Sequence, residues 1–272
     1  MLRRRLLTAA MDPVALGVLA ATASGLIETA AAAVAPLAAD PALVDDLVSA
    51  NHILYDQGVV DGFGHVSVRH DKDASRFLLA RSMAPALVTA DDIMEFDRDG
   101  NAIDPRGRAV YLERFIHSEI YKTRPEVKAV VHSHSPAVIP FGVTAVPLMP
   151  IYHMSAFLGA GVPVFEIRAA TPAPTDMLVS SAELGAALAR TLGGANVALM
   201  RGHGDVVVGQ SLTQVVFRAV YTEINARLEA EALRLGDVNF LSGEEAAKAS
   251  EVDDAIMGRA WELWKQQARA KH

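Results

Sequence analysis

The stretch Tyr111-Leu-Glu-Arg-Phe-Ile-His-Ser-Glu-Ile-Tyr-Lys-Thr-Arg-Pro-Glu-Val-Lys-Ala-Val-Val-His-Ser-His-Ser-Pro136 reads as a helix, a proline-bearing turn and a buried strand. Glu113 and His117 are spaced i, i+4 and share one helix face. His132 and His134 are spaced i, i+2 at the strand end, so both imidazoles leave the strand on one side. A carboxylate at a helix start and two histidines at a strand end make this the place to look for chemistry.

Working outward, Asp40-Pro41 opens a helix to about Gln57, with an aspartate cap and proline at the first helical position. Gly58 ends it. His65–His70, Phe77–Ala80 and Ile93–Asp97 read as strands, with Asp99-Gly100-Asn101 as a hairpin turn. On the other side, Pro140–Pro150 reads as loop, Tyr152–Leu158 as a short helix and Pro163–Ile167 as a strand. Asp176–Leu192 reads as a helix. Val197–Met200 and Asp205–Gly209 read as strands flanking Arg201-Gly-His-Gly. Ser211 caps a long helix to about Leu235, and Gly243–Ala270 adds C-terminal helix. The pattern predicts one α/β (or α+β) domain over residues 40–240, with helical extensions at 1–39 and 241–272.

Composition narrows the chemistry. The chain has 272 residues, a net charge of −7 and no cysteine. The acidic balance and the lack of a basic track argue against a nucleic-acid partner. Without cysteine there is no disulfide, thiolate metal site or cysteine nucleophile. Any metal must rest on His, Asp or Glu, which favours zinc, manganese or iron.

The first residues, Met1-Leu-Arg-Arg-Arg-Leu-Leu followed by an Ala-rich run, have the basic start and Ala-x-Ala sites of an export signal. Asp12-Pro13 and Glu28 interrupt the apolar run, and no stretch is long enough to span a membrane. We read this region as one or two helices packing on the body or on a neighbouring subunit of a cytoplasmic protein. A cleaved export signal is the alternative.

Spacing alone carries the site only as far as a candidate. His203 sits between two glycines at a strand-to-strand turn, where backbone or ligand can come close. Three imidazoles and a carboxylate, His132, His134, His203 and Glu113, could form an open catalytic metal site. Each of these residues also has an ordinary structural reading. Glu113, for example, suits a helix N-terminus because the dipole favours a negative charge there.

The run Glu113-Arg-Phe-Ile-His, then Arg124-Pro, then Ala129-Val-Val-His-Ser-His-Ser-Pro, resembles the class II aldolase/adducin family. Gly64-His-Val-Ser-Val-Arg and Met200-Arg-Gly-His-Gly fall at that family's two other signatures. The resemblance covers roughly Asp40 to Leu235. It implies a central, mostly antiparallel sheet flanked by helices, and a homotetramer with active sites between subunits. It also implies one divalent ion per subunit, Zn2+ or Mn2+ before Fe2+, held by His132, His134 and His203. Glu113 becomes the acid/base carboxylate, able to approach the metal.

The departures speak to the substrate. The family's sugar-phosphate aldolases hold phosphate with a serine pair and an asparagine, where this chain has Tyr111-Leu112 and His65. Leu112 offers no donor to a dianionic phosphate, and an aromatic beside an aliphatic residue suits a flat apolar ligand. These traits resemble the branch that decarboxylates hydroxypyridine dicarboxylates and dihydroxyphthalates. That resemblance implies an aromatic acid chelating the metal through its hydroxyl and neighbouring carboxylate. Arg81 and Ser82 are candidates to hold a second carboxylate. His65, Tyr111, Leu112 and Tyr152 are candidate substrate contacts, and Glu113 or His153 is the candidate proton donor. His117 reads as a packing or supporting group, and Ser67 and Arg69 as residues that order the surroundings of His65. An aldolase acting on a non-phosphorylated hydroxy-keto compound, a non-catalytic adducin-like assembly module and an iron-dependent oxygenase are the competing readings.

Overall fold

The structure, a computed structural model, describes residues 35–171 and 174–272. Of the helical extension expected at residues 1–39, residues 1–34 lie outside the described residues, and 35–39 are irregular rather than helical. Helix α1 (Pro41–Asp56) is followed by strands β1 (His65–Arg69), β2 (Phe77–Ala80), β3 (Ile93–Phe96) and β4 (Ala102–Ile103). Next come α2 (Arg114–Thr123), β5 (Ala129–Ser133), a five-residue helix α3 (Ile139–Val143), β6 (Val164–Phe165) and α4 (Ala182–Leu192). Strands β7 (Val197–Met200) and β8 (Gly204–Gly209) lead into α5 (Leu212–Leu235), α6 (Gly243–Ile256) and α7 (Gly258–Lys271).

The eight strands form one sheet in the order β4-β3-β2-β1-β5-β8-β7-β6. Every pairing is antiparallel except β6 with β7. Both faces are covered, so the strands run as near-continuous apolar stretches with few polar interruptions. On one face, Val66, Val68, Ala129, Val131 and Val207 pack with α1, α5 and α7, whose Trp261 and Trp264 join this core. On the other, Phe77, Leu79, Val130, Val206 and Val208 meet Ile116 and Ile120 of α2 and Leu188 of α4. Period-two alternation sends His65, Ser67 and His132 toward the α2 face while their neighbours face α1 and α5. The register pairs His65 directly with His132.

Four elements differ from the sequence reading. The expected helix from Asp176 starts at Ala182, capped by Ser181 accepting the Leu184 amide. Residues 174–181 before it are irregular, with Met177 at φ 73°, and their backbone is used by the site described below. The region read as loop from Pro140 contains α3, with Pro140 in its first turn, where the missing amide costs nothing. The strand at Pro163–Ile167 shrinks to two residues. The C-terminal helix is two helices that meet at Met257 and Gly258.

Candidate metal centre

Three separate pieces of chain converge on one point. Helix α2 begins with Glu113 at its N-cap. Strand β5 carries His132, with His134 just past its end. His203 comes from the β7–β8 turn. One ligand atom from each of Glu113, His132, His134 and His203 lies within 4.8 Å of the others.

Backbone carbonyls fix the imidazole orientations. His132 Nδ1 donates to the Asp205 carbonyl at 2.9 Å, and His203 Nδ1 donates to the Met177 carbonyl at 2.8 Å. Each ring therefore turns an Nε2 lone pair inward, the tautomer a metal requires. His132 Nε2 is buried without a hydrogen-bond partner among the described residues. His134 Nε2 and His203 Nε2 stand 3.0 Å apart. Glu113 Oε2 faces the same point, 3.4 Å from His132 Nε2 and 3.5 Å from His203 Nε2. Its other oxygen accepts the Val179 amide at 2.9 Å. An orphaned buried nitrogen, converging lone pairs and one carboxylate fit a divalent cation with an open coordination position.

The electrostatics agree. Burial alone would push the Glu113 carboxyl up, but the facing His132 and His203 imidazoles outweigh it and hold the group far below the usual carboxylate range. Burial, helped by His132 and His203, pushes His134 down to about 4, so its ring is neutral at physiological pH. His132 moves the other way: burial lowers it, yet Glu113 opposite raises it further. The carboxylate thus draws positive charge to this point, whether a proton or a metal ion.

Two glycines make the convergence possible. A Cβ at Gly204 would lie 1.9 Å from the Ser133 carbonyl, so any side chain there would force β8 away from β5. Gly64 has φ 93°, and its Cβ would meet Val60 at 2.6 Å.

The cluster opens onto a cavity of about 390 Å3. His65, Ser82 and Tyr111 line it beside Glu113, His132 and His134, and Phe63, Met83, Leu112 and Leu178 make its remaining wall largely apolar. Tyr111 Oη donates to the Met83 carbonyl at 2.5 Å, which holds the ring 4.5 Å from His65. Leu112 is 61% exposed. Arg81 is not among the lining residues, and its Nε donates to Asp92 Oδ1 at 2.6 Å. The β2–β3 hairpin pairs Ala80 with Ile93, which sets an internal carboxylate where a substrate one was expected. Tyr152 and His153 do not line this cavity either. Tyr152 Oη is buried without a partner among the described residues, and the His153 side chain is 67% exposed with Nδ1 3.6 Å from Asp253 Oδ1. Side-chain patterns did not reveal Met177, Val179 and Asp205, because each acts through its backbone.

The sequence profile of the class II aldolase and adducin N-terminal domain matches residues 45–230. The chain belongs to the class II aldolase and adducin family. Within it, the decarboxylase tropJ of Talaromyces stipitatus is 38% identical over 81% of this chain and 92% of that protein. A 3,4-dihydroxyphthalate decarboxylase of Terrabacter is 32% identical over 75% of this chain and 88% of its own length. Among solved class II aldolase structures, an L-fuculose 1-phosphate aldolase from Glaciozyma antarctica superposes with a TM-score of 0.70 at 23% identity. It covers 84% of this chain and 88% of that one, and at this identity it speaks for the fold alone. No helix among the described residues is long and apolar enough to cross a membrane.

Proposed function

We propose that this protein is a divalent-metal-dependent, non-oxidative decarboxylase of a hydroxylated aromatic mono- or dicarboxylic acid. The observation that carries the reading is the three-imidazole, one-carboxylate cluster opening onto an apolar, aromatic-walled cavity. Decarboxylase relatives over most of the chain's length support it. So does the cavity's chemistry: Leu112 and Tyr111 stand where a phosphate would need donors.

His132, His134 and His203 would hold the ion, Zn2+ or Mn2+ before Fe2+. When bound, the ion supplies a Lewis acid for the hydroxyl oxygen and adjacent carboxylate of an aromatic acid. The protein's own groups do the rest. The Asp205 and Met177 carbonyls keep the His132 and His203 lone pairs inward. The Val179 amide fixes Glu113, so that Oε2 faces the reacting end of the substrate and can move a proton there. Tyr111, Leu112 and Phe63 would bury the ring and keep water from the carbon that loses CO2. Ser82 would accept or donate at a ring substituent. In a homotetramer with sites between subunits, exposed His153, with Tyr152 beside it, would reach the neighbouring cavity as the second acid/base group. This arrangement suits a cytoplasmic enzyme of aromatic-compound breakdown.

The shared fold keeps a second reading alive, an aldolase on a non-phosphorylated hydroxy-keto compound. A product screen separates the two: CO2 from ortho-hydroxy aromatic acids supports decarboxylation, whereas pyruvate or glycolaldehyde from hydroxy-keto compounds supports the aldolase.

A further inference from the structure

We infer that His65 presents a neutral Nε2–H to the cavity as a donor to an anionic substrate oxygen, and that His117, Ser67 and Tyr121 are positioning residues that set this tautomer. The inference rests on the cavity being the substrate site, but the geometry behind it is independent of the reaction.

His65 opens β1 and lines the cavity. Its Nδ1 is turned inward, 2.6 Å from His117 Nε2. His117 lies wholly buried on α2, and its Nδ1 is 2.7 Å from Ser67 Oγ. Ser67 Oγ is in turn 2.8 Å from Tyr121 Oη. Ser67 Oγ has no third hydrogen-bond partner among the described residues, so once Tyr121 donates to it, its own proton goes to His117 Nδ1 and the later link follows.

Tyr121 decides that direction. Its proton can go to Ser67 at 2.8 Å or to the Lys128 carbonyl at 3.4 Å. That carbonyl already accepts the Arg69 amide at 2.7 Å. A phenol is also a better donor and a poorer acceptor than an alkyl hydroxyl. The Arg69 guanidinium, 4.6 Å from the Tyr121 ring centroid, strengthens that bias. Tyr121 therefore donates to Ser67, Ser67 to His117 Nδ1, and His117 Nε2–H to His65 Nδ1. His65 is left with its proton on Nε2, at the cavity. The opposite direction would strand the Tyr121 proton on the 3.4 Å contact and turn a lone pair toward an anionic ligand. Neither imidazole changes charge in this arrangement.

The test is 15N spectroscopy of the histidine-labelled, zinc-loaded protein, with signals assigned by their loss in His65→Gln and His117→Gln, together with titration of 2-hydroxybenzoate. Both rings are expected as Nε2–H tautomers. Ser67→Ala and the isosteric Tyr121→Phe should give tautomer mixtures, and Ser67→Ala should weaken 2-hydroxybenzoate binding about 5-fold. Ser67→Thr, which keeps the hydroxyl, should restore affinity to within about 2-fold. A His65 Nδ1–H tautomer in the unsubstituted protein overturns the inference even if the protein releases CO2. An Nε2–H tautomer in a protein that decarboxylates nothing supports the inference and overturns the proposed reaction instead.

Discussion

His134 Nε2 and His203 Nε2 stand 3.0 Å apart although 69 residues separate them in the chain. The Met177 carbonyl at 2.8 Å takes the only proton of a neutral His203 ring, so its Nε2 offers a lone pair to the space it shares with His134. His134 Nε2 meets that lone pair either with its own proton or, in the other tautomer, with a second lone pair that a cation would bridge. His132 and Glu113 complete the set.

The first prediction concerns ion binding. His132→Ala, His134→Ala and His203→Ala should each hold well under one ion per subunit after dialysis, where the unsubstituted protein holds about one. Elemental analysis of the pure protein reads this directly. Stoichiometric zinc in all three variants would show that the cluster is not the metal site.

The second separates binding the ion from moving the proton. Glu113→Gln keeps an oxygen for the Val179 amide but removes the charge and the transferable proton. It should retain the ion while turnover falls at least about 100-fold, with a smaller change in KM. Steady-state kinetics together with metal content distinguish this from loss of the site.

The third tests how tightly β5 and β8 are pressed together beside the histidine cluster. In Gly204→Ala the new methyl would meet the Ser133 carbonyl, and backbone cannot rotate away as a side chain can. We expect a cost of about 2–3 kcal/mol in unfolding free energy and weaker ion binding, because His203 and His134 flank the displaced contact. Denaturant unfolding monitored by circular dichroism measures the first. Calorimetric ion titration measures the second.

The fourth is a pH dependence carried by α5. Glu229 is buried, and burial raises its carboxyl to about 7 despite hydrogen bonds from Met149 and Asn225. Its Oε1 has no partner among the described residues. An unfolded glutamate titrates near 4.3, so the folded protein binds the extra proton between these values. The stability this gives is fully present below about pH 4.3 and is lost as pH rises through about 7. Exposed Leu228 and Leu233 on the same helix place water nearby, so we discount the effect for screening to about 1–2 kcal/mol. Glu229→Gln should flatten the stability profile over that range and be the more stable protein at pH 8, as urea midpoints across pH would show. A profile unchanged by the substitution would count against a buried, proton-holding Glu229.

What the sequence made legible was whatever side-chain identity and spacing carry. Glu113, His132, His134 and His203 are chemically distinctive residues at helix and strand boundaries, and period-two alternation predicts the shared side of the His-x-His pair. The unbroken apolar run of β5 likewise announces a strand covered on both faces. The atoms that hold the imidazoles in place are a different matter. Asp205, Met177 and Val179 act through carbonyl and amide groups that every residue possesses, so no residue type marks them. The stretch from Asp176 shows the same limit. Its apolar residues continue the helical pattern, yet Met177 adopts φ 73° and the helix waits for the Ser181 cap. The Arg81–Asp92 pair was not legible either, because Asp92 arrives across a hairpin, a contact that local pattern does not reveal.

The most direct test of the account is metal-dependent CO2 release. The zinc- or manganese-loaded protein should be incubated with a panel of ortho-hydroxy aromatic mono- and dicarboxylic acids, with released CO2 measured alongside the aromatic product. The account predicts stoichiometric CO2 from at least one acid, abolished by chelator, restored by the ion and absent in His132→Ala. A fully metal-loaded protein that releases no CO2 from the panel, but cleaves a hydroxy-keto compound to pyruvate or glycolaldehyde, would contradict it.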